Sequence, residues 1–115
     1  MVAHDAVDIL QPDCAIVGGI TQFLRVAHLA QTHSLPISPH ILQHIHNHLV
    51  AALPGTMWVE FFLEDNPLMA LVLRLFPKPQ EAIVPRDGSL DLPHAPGLGI
   101  EVDPQVAARC LVGER

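Results

Sequence analysis

Extended apolar runs alternate with amphipathic helical segments through the first half of this chain, and each run closes on a polar residue. Asp8-Ile9-Leu10-Gln11-Pro12 ends at Asp13, Leu35-Pro36-Ile37-Ser38-Pro39 ends at His40, and Met57-Trp58-Val59 ends at Glu60. This order constrains the fold more than any other feature. Strands at about 6–13, 35–38 and 56–61, with a helix in each interval, make a βαβαβ unit. Connections this short imply a parallel sheet with right-handed crossovers. In a parallel α/β barrel, polar residues at successive strand ends converge on one catalytic face. Asp13, His40 and Glu60 are therefore the candidate site.

The helices follow from apolar spacing. Gly18-Gly19 breaks the first strand pattern, and Thr21 is placed to cap a helix running to about His33. Phe23, Val26, Ala27 and Ala30 fall at i, i+3, i+4 and i+7, one buried stripe. A second helix is expected from about Ile41 to Leu53, with Leu42, Ile45, Leu49 and Ala52 as its stripe and Pro54-Gly55 as its stop. Aromatic residues are only 4% of the chain, so the core is expected to be aliphatic, and Trp58, Phe61 and Phe62 are read as part of it. The segment beyond residue 66 changes character. Prolines recur, Asp87-Gly88 signals a hairpin, 96–101 reads as a loop and 104–112 as a short helix.

Composition removes several functions. The net charge of −6 argues against a nucleic-acid partner, which requires clustered basic residues. No run of about 18 apolar residues is present, so a membrane span is not expected. The first residues lack the basic start of a secretory signal, and Cys14 and Cys110 form no CxxC, which together suggest a cytoplasmic protein with reduced thiols. Cys14 has no basic neighbour to activate it and reads as a packing residue. His44 and His48 are four residues apart on one helical face, which can chelate a metal. The same spacing fits a polar face opposite the apolar stripe. Gly97-x-Gly99 lacks the strand–helix context of a nucleotide fingerprint.

Five short motifs, in order and at matching spacing, carry a family resemblance. Gln11-Pro12-Asp13, Gly18-Gly19-Ile20-Thr21, Pro39-His40, Trp58-Val59-Glu60 and Pro96-Gly97-Leu98-Gly99-Ile100 resemble the mandelate racemase branch of the enolase superfamily, in the mandelate racemase/muconate lactonizing enzyme family. The resemblance extends from about Ala6 to about Asp103. It implies a partial TIM-type barrel: 6–13, 35–39 and 56–60 would be its sixth, seventh and eighth strands. Residues 67–115 would be the tail that returns to a capping domain. A whole barrel of this type takes about 250 residues, so the chain would supply the C-terminal part alone.

The resemblance also implies a chemistry, abstraction of the proton α to a carboxylate. His40 corresponds to the base of a His–Asp dyad, Asp13 to its carboxylate, and Glu60 to the glutamate that hydrogen-bonds the substrate carboxylate. The residue types suit those roles. Imidazole titrates near neutrality. A carboxylate on its far nitrogen fixes the tautomer and stabilises the imidazolium. A carboxyl group donating where charge develops contributes in a dry site. Residues 6–20 contain no lysine, which separates the chain from branches with a catalytic lysine on the sixth strand. The run His40-Ile-Leu-Gln-His44-Ile-His46-Asn-His48 is similar to sugar-acid dehydratases. Mg²⁺ is the cofactor of the complete family enzyme, but its carboxylate ligands come from earlier strands, and none is expected in this chain. The expected partners are a sugar acid or other carboxylate substrate and the remainder of the barrel with its capping domain. The alternative is a non-catalytic module that docks its open sheet edges on a partner or on itself.

Overall fold

The computed structural model describes residues 1–56, 58–63, 65–67, 69–70, 75 and 84–111. The chain divides into two units, Met1–Phe61 and Phe62–Arg115. The three candidate site residues all belong to the first.

In the first unit, three extended segments run parallel in the order 10–37–56. Leu10 pairs with Ile37, and Ile37 with Thr56. Leu10 N–H donates to the Pro36 carbonyl, and Ser38 N–H to the Leu10 carbonyl, both at 3.0 Å. His40 N–H continues the pattern to the Pro12 carbonyl at 3.2 Å. The expected strands are thus reduced to isolated bridges. Pro12 and Pro39 are the physical reason, because each removes an N–H that the next rung would use. No described residue pairs on the far side of Leu10 or of Thr56.

Helix α1 spans Ile20–Thr32. Its start differs from expectation: Gly19, not Thr21, is the cap residue, and no side chain caps the helix. The Gly19 carbonyl accepts the first helical bond, from Phe23 N–H, and Gly18 and Gly19 both lie at φ 101°, a region that side-chain-bearing residues avoid. Phe23, Ala27 and Ala30 are buried and Val26 is half-buried, as the spacing predicts. The end of α1 is a Schellman turn. Leu35 N–H bonds to the Ala30 carbonyl (2.9 Å), Ser34 N–H to that of Gln31 (3.1 Å), and Ser34 takes the left-handed position at φ 54°.

Helix α2 spans Gln43–Ala52, two residues later than expected. The cause is the backbone just before it. Ile41 and Leu42 are both left-handed, at φ 53° and 43°, so neither can be a helical residue. At the other end Thr56 Oγ1 donates to the carbonyls of Val50 and Leu53, each at 2.8 Å, and Pro54-Gly55 carries the chain into the third segment.

Cys14, Phe23, Ala27, Ala30, Ile37 and Leu49 form the core of this unit, with Leu10, Val17, Leu35, Leu42, Ile45 and Leu53 packed against it. Two expectations fail here. Trp58 is 61% exposed rather than core, because it lies on an outer segment with no described neighbour beyond it. Segment 6–13, which its apolar run marks as a strand buried apart from its final polar residues, is instead covered at that polar end: Ile9 is 41% exposed, whereas Pro12, Asp13 and Cys14 are covered. The polar end of that segment is tied to α2 by the bond from Cys14 N–H to His46 Nε2.

The second unit contains the expected hairpin turn. Arg86 and Ser89 exchange two bonds of 2.9 Å, and Asp87 and Gly88 both have positive φ, as a type I′ turn requires. Ile83, which with Val84 and Leu90 flanks this turn in the sequence, lies outside the described residues. Helix α3 covers Pro104–Arg109, shorter than the predicted 104–112, and residue 112 is likewise outside the description. Asp103 caps α3 by accepting from Gln105 N–H and Val106 N–H. In the 96–101 loop a Cβ on Gly99 would meet Pro93 Cβ at 2.2 Å, so only glycine fits. Among the described residues no helix is long and apolar enough to cross a membrane.

The left-handed Ser34 supplies a stability test. An L-residue in this region costs roughly 1–2 kcal/mol, partly offset in a glycine variant by greater freedom of the unfolded chain. Ser34→Gly is expected to raise stability by about 0.5–1 kcal/mol, read as a higher urea midpoint at unchanged slope.

Candidate functional site

The site is built on backbone that is already committed. Asp13 ends the first segment, and its carbonyl accepts from Ile16 N–H (3.0 Å) and Val17 N–H (2.9 Å). Its Oδ1 accepts from Ala15 N–H at 2.8 Å. One carboxylate oxygen is thereby fixed by its own loop. The other, Oδ2, lies 3.6 Å from His40 Nδ1. That is an ion-pair distance, longer than a hydrogen bond. A shift of less than an ångström would close it, as happens when open sites bind substrate. The Asp13 side chain is 9% exposed and that of His40 42%, so the ring meets the carboxylate on one edge and reaches solvent.

Glu60 joins this pair through the backbone. Its Oε2 accepts from Ile41 N–H at 2.7 Å, and Ile41 follows His40 directly. The ends of all three segments therefore converge, with Ser38 Oγ adding a bond to the Trp58 carbonyl at 3.2 Å between the second and third.

A fourth residue, His46, is missing from the sequence-based site. It is fully buried on α2. Its Nε2 accepts from Cys14 N–H at 3.1 Å, and its Nδ1 lies 2.6 Å from the Ile41 carbonyl. Its ring stacks on Phe23, with centroids 5.5 Å apart and planes at 28°. The expected solvent-facing polar surface of α2 is thus corrected: Gln43, His44, His46 and Asn47 are all buried. A signal was present. His46 is four residues after Leu42 and three before Leu49, so it shares their stripe.

The donor chemistry nearby does not suit Mg²⁺. The group of three donor residues found among the described residues is Asp13, Cys14 and His46, whose ligand atoms lie within 4.8 Å of one another. A hard cation takes several oxygens, and this set offers a thiol and an imidazole. Burial, followed by the charge of Asp13, pushes the Cys14 thiol pKa up, so it keeps its proton. The Nε2 lone pair of His46 is already used by Cys14 N–H. No catalytic step is therefore assigned to a metal held by these residues.

Comparison with known proteins gives a consistent picture. Residues 1–106 match the family described as enolase C-terminal domain-like. The L-talarate/galactarate dehydratase of Salmonella typhimurium is 35% identical over 105 residues, covering 91% of this chain but 24% of that protein. The L-rhamnonate dehydratase of Saccharopolyspora erythraea is 31% identical over 102 residues, covering 89% of this chain and 26% of that protein. Among solved structures, L-talarate dehydratase from Polaromonas sp. JS666, complexed with Mg and L-glucarate, superimposes with a TM-score of 0.75 at 41% identity, over 93% of this chain and 27% of that one. The chain spans about a quarter of the length of these relatives.

The buried α2 face has a consequence for stability. Burial pushes the pKa of His44 down from its ordinary value near 6.5. Below that pH the unfolded chain binds a proton that the folded chain refuses, so stability rises with pH in this window and levels off above it. Chemical denaturation at pH 5.5 and 7.5 is expected to show this gain, and His44→Gln to reduce it. An unchanged difference between the two pH values in the variant would contradict the assignment.

Proposed function

The chain belongs to the enolase C-terminal domain-like family, and from that premise we propose that it supplies the proton-abstracting side of a sugar-acid dehydratase site. The observation that carries the reading is the pairing of buried Asp13 Oδ2 with Nδ1 of the half-exposed His40 at 3.6 Å. In this reading Nε2 of His40, on the opposite edge of the ring, takes the proton α to the substrate carboxylate. The C–H electron pair passes into the enediolate. Asp13 stabilises the imidazolium that forms and keeps the ring in the productive tautomer. Glu60 has one oxygen committed to Ile41 N–H, which leaves Oε1, carrying the carboxyl proton, to donate to the substrate carboxylate as negative charge grows there. Dehydration is preferred to racemisation because the relatives described above are named as dehydratases. The same relatives favour an enzyme over a purely docking role.

Mg²⁺, a sugar-acid substrate and the rest of the barrel belong to this proposal as the complement of the chain. Magnesium is assigned to that complement, since the residues here do not fit it.

The test is a chimera in which this chain replaces the matching quarter of the S. typhimurium dehydratase. It is expected to dehydrate a sugar acid in a Mg²⁺-dependent manner. His40→Ala should lower turnover by about 10²–10⁴-fold, the usual range for a general base. Asp13→Asn should fall in the same direction. A folded chimera without turnover, or a fully active His40→Ala chimera, would overturn the reading.

A further inference from the structure

We propose that His46 is a positioning residue for the Asp13–His40 pair, an inference that rests on the catalytic reading above. One buried imidazole bridges the two backbone positions that follow the pair. Nε2 accepts from the N–H of Cys14, the residue after Asp13, and Nδ1 lies against the carbonyl of Ile41, the residue after His40. A backbone N–H can only donate and a carbonyl only accept. One state of the ring satisfies both: neutral, with its proton on Nδ1.

The ring is locked in that orientation. It is fully buried and stacked on Phe23 of α1, so turning it would break both bonds and the stack together. The junction it holds is strained. Ile41 is β-branched yet left-handed, at φ 53°, and Leu42 repeats the conformation at φ 43°. Such residues persist where the surroundings over-determine them. Here two side chains hold the Ile41 peptide, Glu60 on its N–H and His46 on its carbonyl, while backbone bonds hold the Leu42 carbonyl and His40 N–H. Without His46 the Ile41 peptide is free to relax, and His40, joined to it, moves away from Asp13. The loop of Asp13 loses its tie to α2 at the same time.

The alternative use of this cluster, as a metal site with Asp13 and Cys14, would need the same Nε2 lone pair and is disfavoured by the Cys14 bond.

Two measurements test the proposal. On the ¹⁵N-labelled chain, the imidazole correlations of His46 are expected to show the Nδ1–H tautomer, with a scalar coupling across the hydrogen bond between Cys14 amide nitrogen and His46 Nε2. A ring protonated on Nε2 near neutral pH, or no coupling, overturns the geometry. In the chimera, His46→Phe keeps a ring on Phe23 and loses both bonds. Its kcat is expected to fall about 10- to 100-fold, the scale for misplaced catalytic groups, with KM within about twofold. His46→Gln, whose amide oxygen can accept from Cys14 N–H, should recover part of the loss. An active parent with an indifferent His46→Phe overturns this inference alone. So do losses in Phe and Gln that follow their unfolding midpoints equally. An inactive parent overturns the catalytic reading and the positioning role with it.

Discussion

The peptide groups of Ile41 are the joint on which the site depends. Its N–H is held by Glu60 Oε2 at 2.7 Å and its carbonyl by His46 Nδ1 at 2.6 Å. A left-handed L-residue costs roughly 1–2 kcal/mol, and an ordinary intramolecular hydrogen bond contributes about 0.5–1.5 kcal/mol net. The two bonds together are of the size of the strain, and neither alone covers it comfortably. The third segment, through Glu60, and the α2 core, through His46, therefore both determine where His40 sits. The Pro12 carbonyl, holding His40 N–H, supplies the link to the first segment.

This arrangement explains how the candidate site can be organised in a unit, Met1–Phe61, whose described residues carry isolated β-bridges. Prolines at 12 and 39 remove ladder bonds that would otherwise define the strands. Side-chain bonds across the segment ends take over the alignment: Ser38 to Trp58, Glu60 to Ile41, and His46 to Cys14. Asp13 and His40 can be held this way because a two-residue pair needs each partner in one place only. A magnesium site needs several oxygens converging at once, and the donor set beside Asp13 does not supply them. The proposed assignment of magnesium to residues outside this chain follows from that difference.

Much of the arrangement was legible in the amino-acid sequence where local chemistry decides it. The stripe of Phe23, Ala27 and Ala30, the stop at Pro54-Gly55, the Asp87-Gly88 turn and the parallel order of the three segments all follow from spacing and turn residues. The convergence of Asp13, His40 and Glu60 was legible as three polar segment ends, although the catalytic roles proposed for them come from family resemblance. What failed depends on distant partners. Ile41 and Leu42 have no preference for left-handed backbone; Glu60 and His46 hold the Ile41 peptide there, and the Leu42 carbonyl accepts from Ile45 N–H and His46 N–H. His46 looked like surface because histidine is polar, yet a ring with one donor and one acceptor can be buried at no hydrogen-bonding cost when both partners are backbone. Trp58 looked like core because it is large and apolar, but burial requires a neighbour, and its segment is an outer one among the described residues.

Side chains pin the backbone just after each member of the candidate pair, and native-state hydrogen exchange of two amides measures this directly. Ile41 N–H, bound to Glu60, and Cys14 N–H, bound to His46, lie outside the helical hydrogen-bond ladders of α1 and α2. Both are expected to exchange as slowly as the interior amides of α1, through unfolding of the whole unit. Exchange at the rate of an open loop while α1 stays protected would contradict it.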